Sequence, residues 1–401
     1  MSPKCAYTYK MTNNKLKIPS SSLEEQQHYR QYPYTVINTM SKPLTVYIKK
    51  LVVTPPELTL QDFAAALDCI FSGNANDVEI SSFLTALRIH KLDFNADFIA
   101  TAVETILKYS EKIPDDQVDS DGYVDIVGTG GDSQNTFNVS SSAAIVAAGM
   151  GVNVCKHGGK ASTSASGSGD LMNQLGVELM KVTSKSAPLI VKESKLCFLF
   201  APAFHHGMGQ VVNVRKQLGI PTIFNILGPL LNPINIKARI LGVYTKELGR
   251  TYCEAAVKID RANGKRANTM VVCGEVGLDE ISPIGRTNVW YYNKEADKIE
   301  EFTLTPEDFG LPEHSLDLVR SGTPIENAVV LKEILKMNKE QVQPGINPLV
   351  DYIFMNAGAL AVVSGLAQDW KHGVELAREA VYSGKAQTAL DEFISSIYKY
   401  T

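Results

Sequence analysis

Several features that mark whole classes of protein are missing from this sequence of 401 residues. It has no apolar run of the roughly 18 residues that a membrane-spanning helix needs. Its N-terminus lacks the basic start and apolar stretch of a secretory signal peptide. The formal net charge of -4 and the sequence pI of about 6.0 disfavour a protein that binds bulk nucleic acid. We therefore expect neither a membrane nor a nucleic acid as partner.

Cysteine is sparse, and no two of the six cysteines have the C-x-x-C spacing of a zinc or redox site. Scattered cysteines of this kind are typical of reduced thiols, which predicts a cytoplasmic location. Two common phosphate-binding motifs are also missing. There is no GxxxxGK[ST], which excludes a P-loop ATPase, and GTGGDS at 128–133 does not match GxGxxG.

The pattern along the chain predicts an α/β protein with a small N-terminal helical domain. Residues 1–50 are polar and are expected to be a mobile extension, with a second possible start at Met40. Residues 52–117 carry three amphipathic helical patterns, and we expect residues 200–222 to join this helical domain. From 118 to 401, short β-type runs alternate with helical stretches, which predicts a larger domain with a mostly parallel central sheet.

Three polar, glycine-rich loops follow predicted strands, at residues 128–133, 156–169 and 274–280. Ligands of such sheets bind beyond the carboxyl ends of the strands. Glycines before a helix allow backbone N–H groups to approach phosphate oxygens, and the helix N-terminus adds positive partial charge. The second loop adds Lys156 and Lys160 as cations, and the third contains the carboxylates of Asp279 and Glu280.

Each loop also has a simpler interpretation that the residues leave open. The first is equally a tight turn with a helix cap, the second a flexible surface loop and the third a solvated acidic turn. Taken together, they favour a ligand with two separated phosphate groups and a Mg²⁺ ion, because Mg²⁺ prefers one or two carboxylates together with phosphates and water. A sugar phosphate that also carries a diphosphate has this chemistry.

Six motifs in one order resemble the anthranilate phosphoribosyltransferase family. They are GTGGD (128–132), NVSS (138–141), KHG (156–158), GSGDLMNQLG (167–176), VRKQLGIPTIFNILGPLLNP (214–233) and LDEIS (278–282). The resemblance runs from about residue 52 to the C-terminus. It implies a homodimer through the helical domain, with 5-phosphoribosyl-1-diphosphate (PRPP) and anthranilate as substrates and Mg²⁺ as cofactor. The products would be N-(5-phosphoribosyl)anthranilate and diphosphate, in tryptophan biosynthesis.

The resemblance also implies roles for individual residues and no general base. PRPP would be bound by two groups of residues, Gly128, Gly131, Asp132, Thr136, Asn138, Val139, Ser140 and Ser141 in the first, and Lys156, His157, Gly158, Gly159, Lys160, Ala161, Ser162, Thr163, Ser164 and Ser168 in the second. Anthranilate would contact Gly128, Gly159 and Arg215. The metal ligands would be Ser140, Asp279 and Glu280.

Two positions depart from the family pattern, and two other functions remain open. Gly159-Lys160 stands where the family commonly has Asn-Arg, and His206 stands where it commonly has proline. Both changes concern the anthranilate pocket.

The alternatives are a pyrimidine nucleoside phosphorylase of the same fold and a non-catalytic binding relative. Arg215 in its VRKQLG context and the intact GTGGD and DE motifs argue against them.

Overall fold

A computed structural model describes residues 43–161 and 165–401 of the chain. The predicted start at Met40 and most of the predicted extension therefore lie outside the described residues. The strands are β1 Tyr123–Gly128, β2 Val154–Gly158, β3 Leu196–Phe200, β4 Ile236–Gly242, β5 Asn268–Gly274, β6 Thr287–Asn293 and β7 Lys298–Leu304. The first helices are α1 Thr45–Leu51, α2 Leu60–Phe71, α3 Asp77–Ile89 and α4 Ala96–Lys108. The later helices are α5 Val139–Gly149, α6 Ser168–Leu175, α7 Ala187–Ser194, α8 Ala201–Phe204, α9 Gly209–Leu218, α10 Lys246–Ala262, α11 Pro324–Ile334, α12 Pro348–Val363, α13 Trp370–Tyr382 and α14 Lys385–Tyr400.

The helical part of the molecule consists of α1–α4 together with α9. The three helices predicted from periodicity are α2, α3 and α4, and each begins where a polar side chain caps it. Thr59 and Asp62 form a reciprocal capping box at α2, and Asn95 accepts two backbone N–H groups at α4. Phe63 of α2 packs against Phe98 of α4 with ring centroids 5.0 Å apart. Helix α9, which lies within residues 200–222, packs against α2 and α3.

Helix α1 lies inside the stretch predicted to be a mobile extension. It is ordered because it covers the helical core: Leu44 and Leu51 at its two ends are fully buried. Glu79 of α3 fixes its start by accepting the Leu44 N–H at 3.1 Å. Such tertiary burial leaves little trace in a short polar segment, so periodicity does not predict it.

The α/β part contains one seven-stranded sheet in the order β3-β2-β1-β4-β5-β6-β7. The first five strands are parallel, and β6 and β7 add an antiparallel edge. The expected mostly parallel sheet is thus confirmed. The antiparallel pair is an addition that the sequence did not predict. Its outer strand is largely polar, with Lys298, Glu301 and Thr303 exposed, a weak signal of the kind found at solvated edges.

Helices cover both faces of the sheet. One face packs against α5, α7 and α12–α14 in a continuous apolar core. The other packs against α10, whose buried residues join the core of the helical part. Because both faces are covered, the five parallel strands are almost fully buried and only their ends reach the surface. Within the described residues, no helix is long and apolar enough to cross a membrane.

Candidate active site

The loops at the carboxyl ends of the parallel strands line a cleft of about 610 Å³. It lies where the sequence predicts a ligand, and α9 closes one side. The predicted site residues in its lining are Gly128, Gly131, Asp132, Thr136, Asn138, Ser140, Ser141, Lys156, His157, Gly158, Gly159, Lys160, Ala161, Ser168, Arg215, Asp279 and Glu280. Val139 is buried beneath the cleft and does not line it. Ser162, Thr163 and Ser164 lie outside the described residues.

The three glycines after β1 have different structural roles. Gly130 and Gly131 have φ angles of +71° and +83°. Within the described part of the chain, the only atom within 4 Å of a Cβ added at either is one of Tyr244, 3.9 Å away. They allow a left-handed turn that leaves the backbone open to the cleft. Gly128 instead makes room for the third loop, since a Cβ there would lie 2.2 Å from Asp279 Oδ2. Gly242, at the end of β4, is equally close-packed against the Asp279 backbone.

The acidic pair of the third loop is buried against the first loop rather than solvated. Asp279 and Glu280 are 7% and 9% exposed, and Gly130 N donates to Asp279 Oδ2 at 2.6 Å. Burial, followed by the charge of Asp132, raises the pKa of Asp279 to about 7. Burial and the charge of Asp279 raise the pKa of Glu280 well above its ordinary value. Buried like charges of this kind are stabilised by a bound cation.

The Lys156 ammonium stands under the same carboxylates. It is 1% exposed and donates to the Ile126 carbonyl at 2.5 Å, while Asp125, Glu280 and Asp279 surround it with negative charge. Burial lowers its pKa, and the carboxylates oppose that effect. Lys156 therefore supplies a buried positive charge that interacts with the acidic pair.

The polar groups at the start of α5 differ in whether the protein already satisfies their hydrogen bonds. The Ser141 hydroxyl is fully buried and has no hydrogen-bond partner among the described residues. The Asn138 amide, in contrast, is engaged: Asn138 Nδ2 donates to the Ser166 carbonyl at 2.8 Å, and Asn138 Oδ1 accepts from Asn327 Nδ2 at 2.9 Å. Thr136 forms an isolated β-bridge with Arg320. An orphaned buried hydroxyl costs free energy unless a ligand satisfies it.

Arg215 of α9 adds a cation to the lining of the cleft. Its Nε is buried without a hydrogen-bond partner among the described residues, and burial lowers the pKa of the guanidinium. A guanidinium with a free donor in a cleft suits a planar carboxylate. Gly159, in the same cleft lining, has no atom of the described residues within 4 Å of an added Cβ. His206 does not line the cleft; it is exposed, and its Nε2 lies 3.8 Å from Glu111 Oε2.

Four residues that support the cleft escaped the sequence analysis. Asn232 donates to Asp125 Oδ2 and to the Cys155 carbonyl, both at 2.8 Å. Asn327 joins Asn138, at the start of α5, to residues 321–322, and His205 contacts His157. Only Asp125 carries a usable signal, because it is an acid inside the apolar run YVDIVG; the others depend on contacts that spacing does not reveal.

The donor set fits a magnesium ion that is held partly by its substrate. Among the described residues, no group of three or more His, Cys, Asp or Glu side chains is arranged to hold a metal. Asp279 and Glu280 nevertheless bury like charges against the phosphate-type loop, and the Ser140 hydroxyl faces Glu280. Mg²⁺ characteristically takes one or two carboxylates and completes its octahedron with phosphate oxygens and water.

Comparison with known proteins gives the same picture over nearly the whole chain. The helical bundle domain of a glycosyl transferase family matches residues 45–110, and the a/b domain of that family matches residues 120–387. The chain is 46% identical to anthranilate phosphoribosyltransferase from Saccharomyces cerevisiae over 88% of its own length and 98% of the relative's. It is 43% identical to the Schizosaccharomyces pombe protein of that name, over 89% and 98% of the two chains.

Solved structures of the S. cerevisiae protein superpose on this fold. One, in complex with PRPP and Mg, has a TM-score of 0.81 at 45% identity and covers 90% of this chain and 99% of its own. Another, in complex with 4-fluoroanthranilate, has a TM-score of 0.80 at 43% identity with the same coverage.

Proposed function

This chain belongs to the anthranilate phosphoribosyltransferase family, and we propose from its cleft how its residues carry out the family's reaction. The enzyme is a pentosyltransferase of tryptophan biosynthesis. It transfers the 5-phosphoribosyl group from PRPP to the amine of anthranilate, giving N-(5-phosphoribosyl)anthranilate and diphosphate, with Mg²⁺ as cofactor. Phosphorolysis of pyrimidine nucleosides is not favoured, since the relatives carry the transferase name over almost their full length.

PRPP is bound, in our proposal, across the first two strand-end loops. The open backbone at Gly130 and Gly131 and the N-terminus of α5 receive one phosphate-bearing end, where the orphaned Ser141 hydroxyl supplies a donor. The loop after β2, with Lys160 and Ser168 in the cleft lining, receives the other end. The observation that carries this proposal is the burial of Asp279 and Glu280 against the first loop. Such a carboxylate pair suits a ligand that arrives with phosphate and Mg²⁺.

The residues that would hold Mg²⁺ are Asp279, Glu280 and Ser140. When bound, the ion supplies positive charge to the diphosphate oxygens that become more negative as the ribose bond breaks. Gly130 N orients Asp279 by donating to its Oδ2, and Lys156 balances the charge of the pair from below. These two groups preorganise the site electrostatically rather than transfer protons.

Anthranilate is proposed to enter between α9 and the strand-end loops. The free Nε donor of Arg215 would bind the carboxylate, and the Gly128 and Gly159 backbones would face the ring. The aryl amine carries a usable lone pair and attacks C1 of the ribose as the bond from C1 to the diphosphate oxygen breaks. The proton that the amine then loses passes to the departing diphosphate or to water, so no base from the protein is assigned. The contribution of the protein is to align the two substrates and to stabilise charge on the departing diphosphate.

Loss of anthranilate fluorescence in the presence of PRPP and Mg²⁺ tests these assignments. Asp279→Asn and Glu280→Gln remove one charge each at nearly constant volume, and both should abolish the Mg²⁺-dependent signal. Glu275→Gln is the matched control, because Glu275 lies in the same loop region but is exposed. EDTA should abolish the loss of anthranilate fluorescence in the wild-type protein. Full activity of the Asp279→Asn protein would contradict the proposed metal site.

A homodimer through the helical part is the second element of the proposal. Val78 and Ile89 of α3 are 75% and 71% exposed, and their spacing of eleven residues places them on one side of the helix. Exposed apolar side chains on one face are typical of a contact between subunits. Sedimentation should give a dimer for the wild type and a monomer for Val78→Glu/Ile89→Glu. A monomeric wild type would refute this element.

We also propose a cytoplasmic location, since the five described cysteines are free thiols.

A further inference from the structure

Two buried imidazoles at the back of the cleft contact each other through their Nε2 atoms. His157, at the end of β2, and His205, after α8, are 2% and 4% exposed. Their Nε2 atoms are 3.0 Å apart, and the rings meet edge to face at 85°. Each Nδ1 has a partner too: His157 Nδ1 lies 3.1 Å from the Gly228 carbonyl, and His205 Nδ1 lies 2.7 Å from Ser110 Oγ. We call Ser110, His205, His157 and the Gly228 carbonyl the histidine chain.

The end groups of the histidine chain fix where its hydrogens lie. A carbonyl only accepts, so His157 must carry its hydrogen on Nδ1, which leaves its Nε2 as an acceptor. His205 must then donate from Nε2, and its Nδ1 accepts the one hydrogen of the Ser110 hydroxyl, whose Oγ also lies 2.9 Å from the Ile106 carbonyl. A second hydrogen on His157 would place two N–H groups face to face, and burial lowers the pKa of His205 to about 4, so that ring is neutral as well. The geometry therefore requires two neutral imidazoles in opposite tautomers, and it leaves no nitrogen of His157 free to act as a base.

Three of the four members of the histidine chain lie in the three segments in which the polypeptide crosses between the helical and α/β parts. Ser110 follows α4 on the first crossing, His205 precedes α9 on the second, and Gly228 follows α9 on the third. His157 belongs to the α/β part and meets the last two directly. Backbone bonds also join the crossings: Glu111 N donates to the Phe204 carbonyl at 2.8 Å. The two rings thus connect all three crossings to the loop after β2.

We propose that His205 is a positioning residue that, through His157, fixes the helical part relative to the strand-end loops. This inference rests on the proposed function, because Arg215 of α9 is there assigned to the anthranilate carboxylate. The PRPP site is built almost wholly from loops of the α/β part, whereas the anthranilate site spans both parts. Loosening the crossings should therefore weaken anthranilate binding selectively. The role of His157 in this scheme is to transmit position rather than to bind phosphate.

Nitrogen-15 NMR of the full chain with labelled histidines tests the tautomers without any substrate. Spectra of His157→Gln and His205→Gln assign the signals. We expect the hydrogen of His157 on Nδ1 and that of His205 on Nε2 at neutral pH. The same tautomer on both rings, or a doubly protonated ring, would overturn the proposal. Because this measurement uses no catalysis, it decides the inference even if the assigned roles of Arg215 and the carboxylates are wrong.

Kinetics of three variants separate positioning from mere packing. His205→Leu keeps the volume and loses the donor, and we expect the KM for anthranilate to rise roughly 10-fold while the KM for PRPP changes less than about 2-fold. His205→Gln can place a donor near the former Nε2 and should recover most of the loss. His206→Gln is the matched control, since the ring of His206 is exposed and is not a member of the histidine chain. Equal effects on both KM values, or no difference between the Leu and Gln variants, would refute the positioning role of His205. If His205→Leu does not fold, Ser110→Ala replaces it, and a smaller rise in the KM for anthranilate is expected.

Discussion

Replacing Gly128 by alanine should disable the magnesium site through a single methyl group. The added Cβ would lie 2.2 Å from Asp279 Oδ2 and 2.9 Å from the Asp279 carbonyl oxygen, closer than real Cβ contacts come. Both the carboxylate and its backbone must then shift, by roughly 1 Å, because overpacked sites relax by displacing neighbours. The shift also breaks the 2.6 Å bond from Gly130 N to Asp279. We expect destabilisation of about 1–3 kcal/mol from overpacking.

The binding defect should exceed the stability defect. Loss of groups that orient a metal ligand typically weakens metal binding on the order of 10–100-fold, and we expect that range for Mg²⁺-dependent PRPP binding. Urea denaturation in EDTA and calorimetric titration with PRPP and Mg²⁺ measure the two effects separately. Gly209→Ala is the matched control, because no atom lies within 4 Å of its added Cβ and its φ is not positive. Unchanged PRPP affinity in Gly128→Ala, or an equal loss in Gly209→Ala, would refute the reasoning.

Three further predictions concern charge, the acceptor site and the support of the first loop. The folded-state pKa of Asp279 is raised from 3.8 to about 7, so in EDTA this group lowers the stability progressively as the pH rises from about 4 to about 7. Asp279→Asn should therefore flatten the fall in unfolding free energy between acidic and alkaline pH, and an unchanged slope in urea titrations would contradict it. Arg215→Leu should raise the KM for anthranilate about 10-fold or more without lowering the melting temperature, because the Nε of this half-buried side chain is buried and has no hydrogen-bond partner among the described residues. A matching rise in the KM for PRPP would count against the assignment. Asn327→Leu removes hydrogen bonds to Asn138 and Gly322 and should cost roughly 1–3 kcal/mol while weakening PRPP binding, measured by urea denaturation and calorimetry. Wild-type stability of that variant would show that the first loop does not depend on it.

The chain order of strands, helices and glycine loops was open to prediction because local rules govern it. Alternation of short apolar runs with helical periods gave the mostly parallel sheet, and Thr59 marks the start of α2 as its cap. The carboxyl-end rule placed all three loops at one edge of the sheet. The resemblance then supplied PRPP, anthranilate and Mg²⁺, and the comparisons confirm that identification.

What the sequence by itself determined is the type of each element and the chemical character of its loops, since both depend on neighbours within a turn or two. Only the tertiary structure decided which glycine opens onto the cleft and which makes room for Asp279, a contact spanning about 150 positions in this fold. The pairing of His157 with His205, 48 residues apart, and of Asn138 with Asn327, 189 apart, is of the same kind. Such contacts form when strands close into a sheet and bury polar groups together. Their partners are therefore selected by packing and hydrogen-bond satisfaction, which no local spacing encodes.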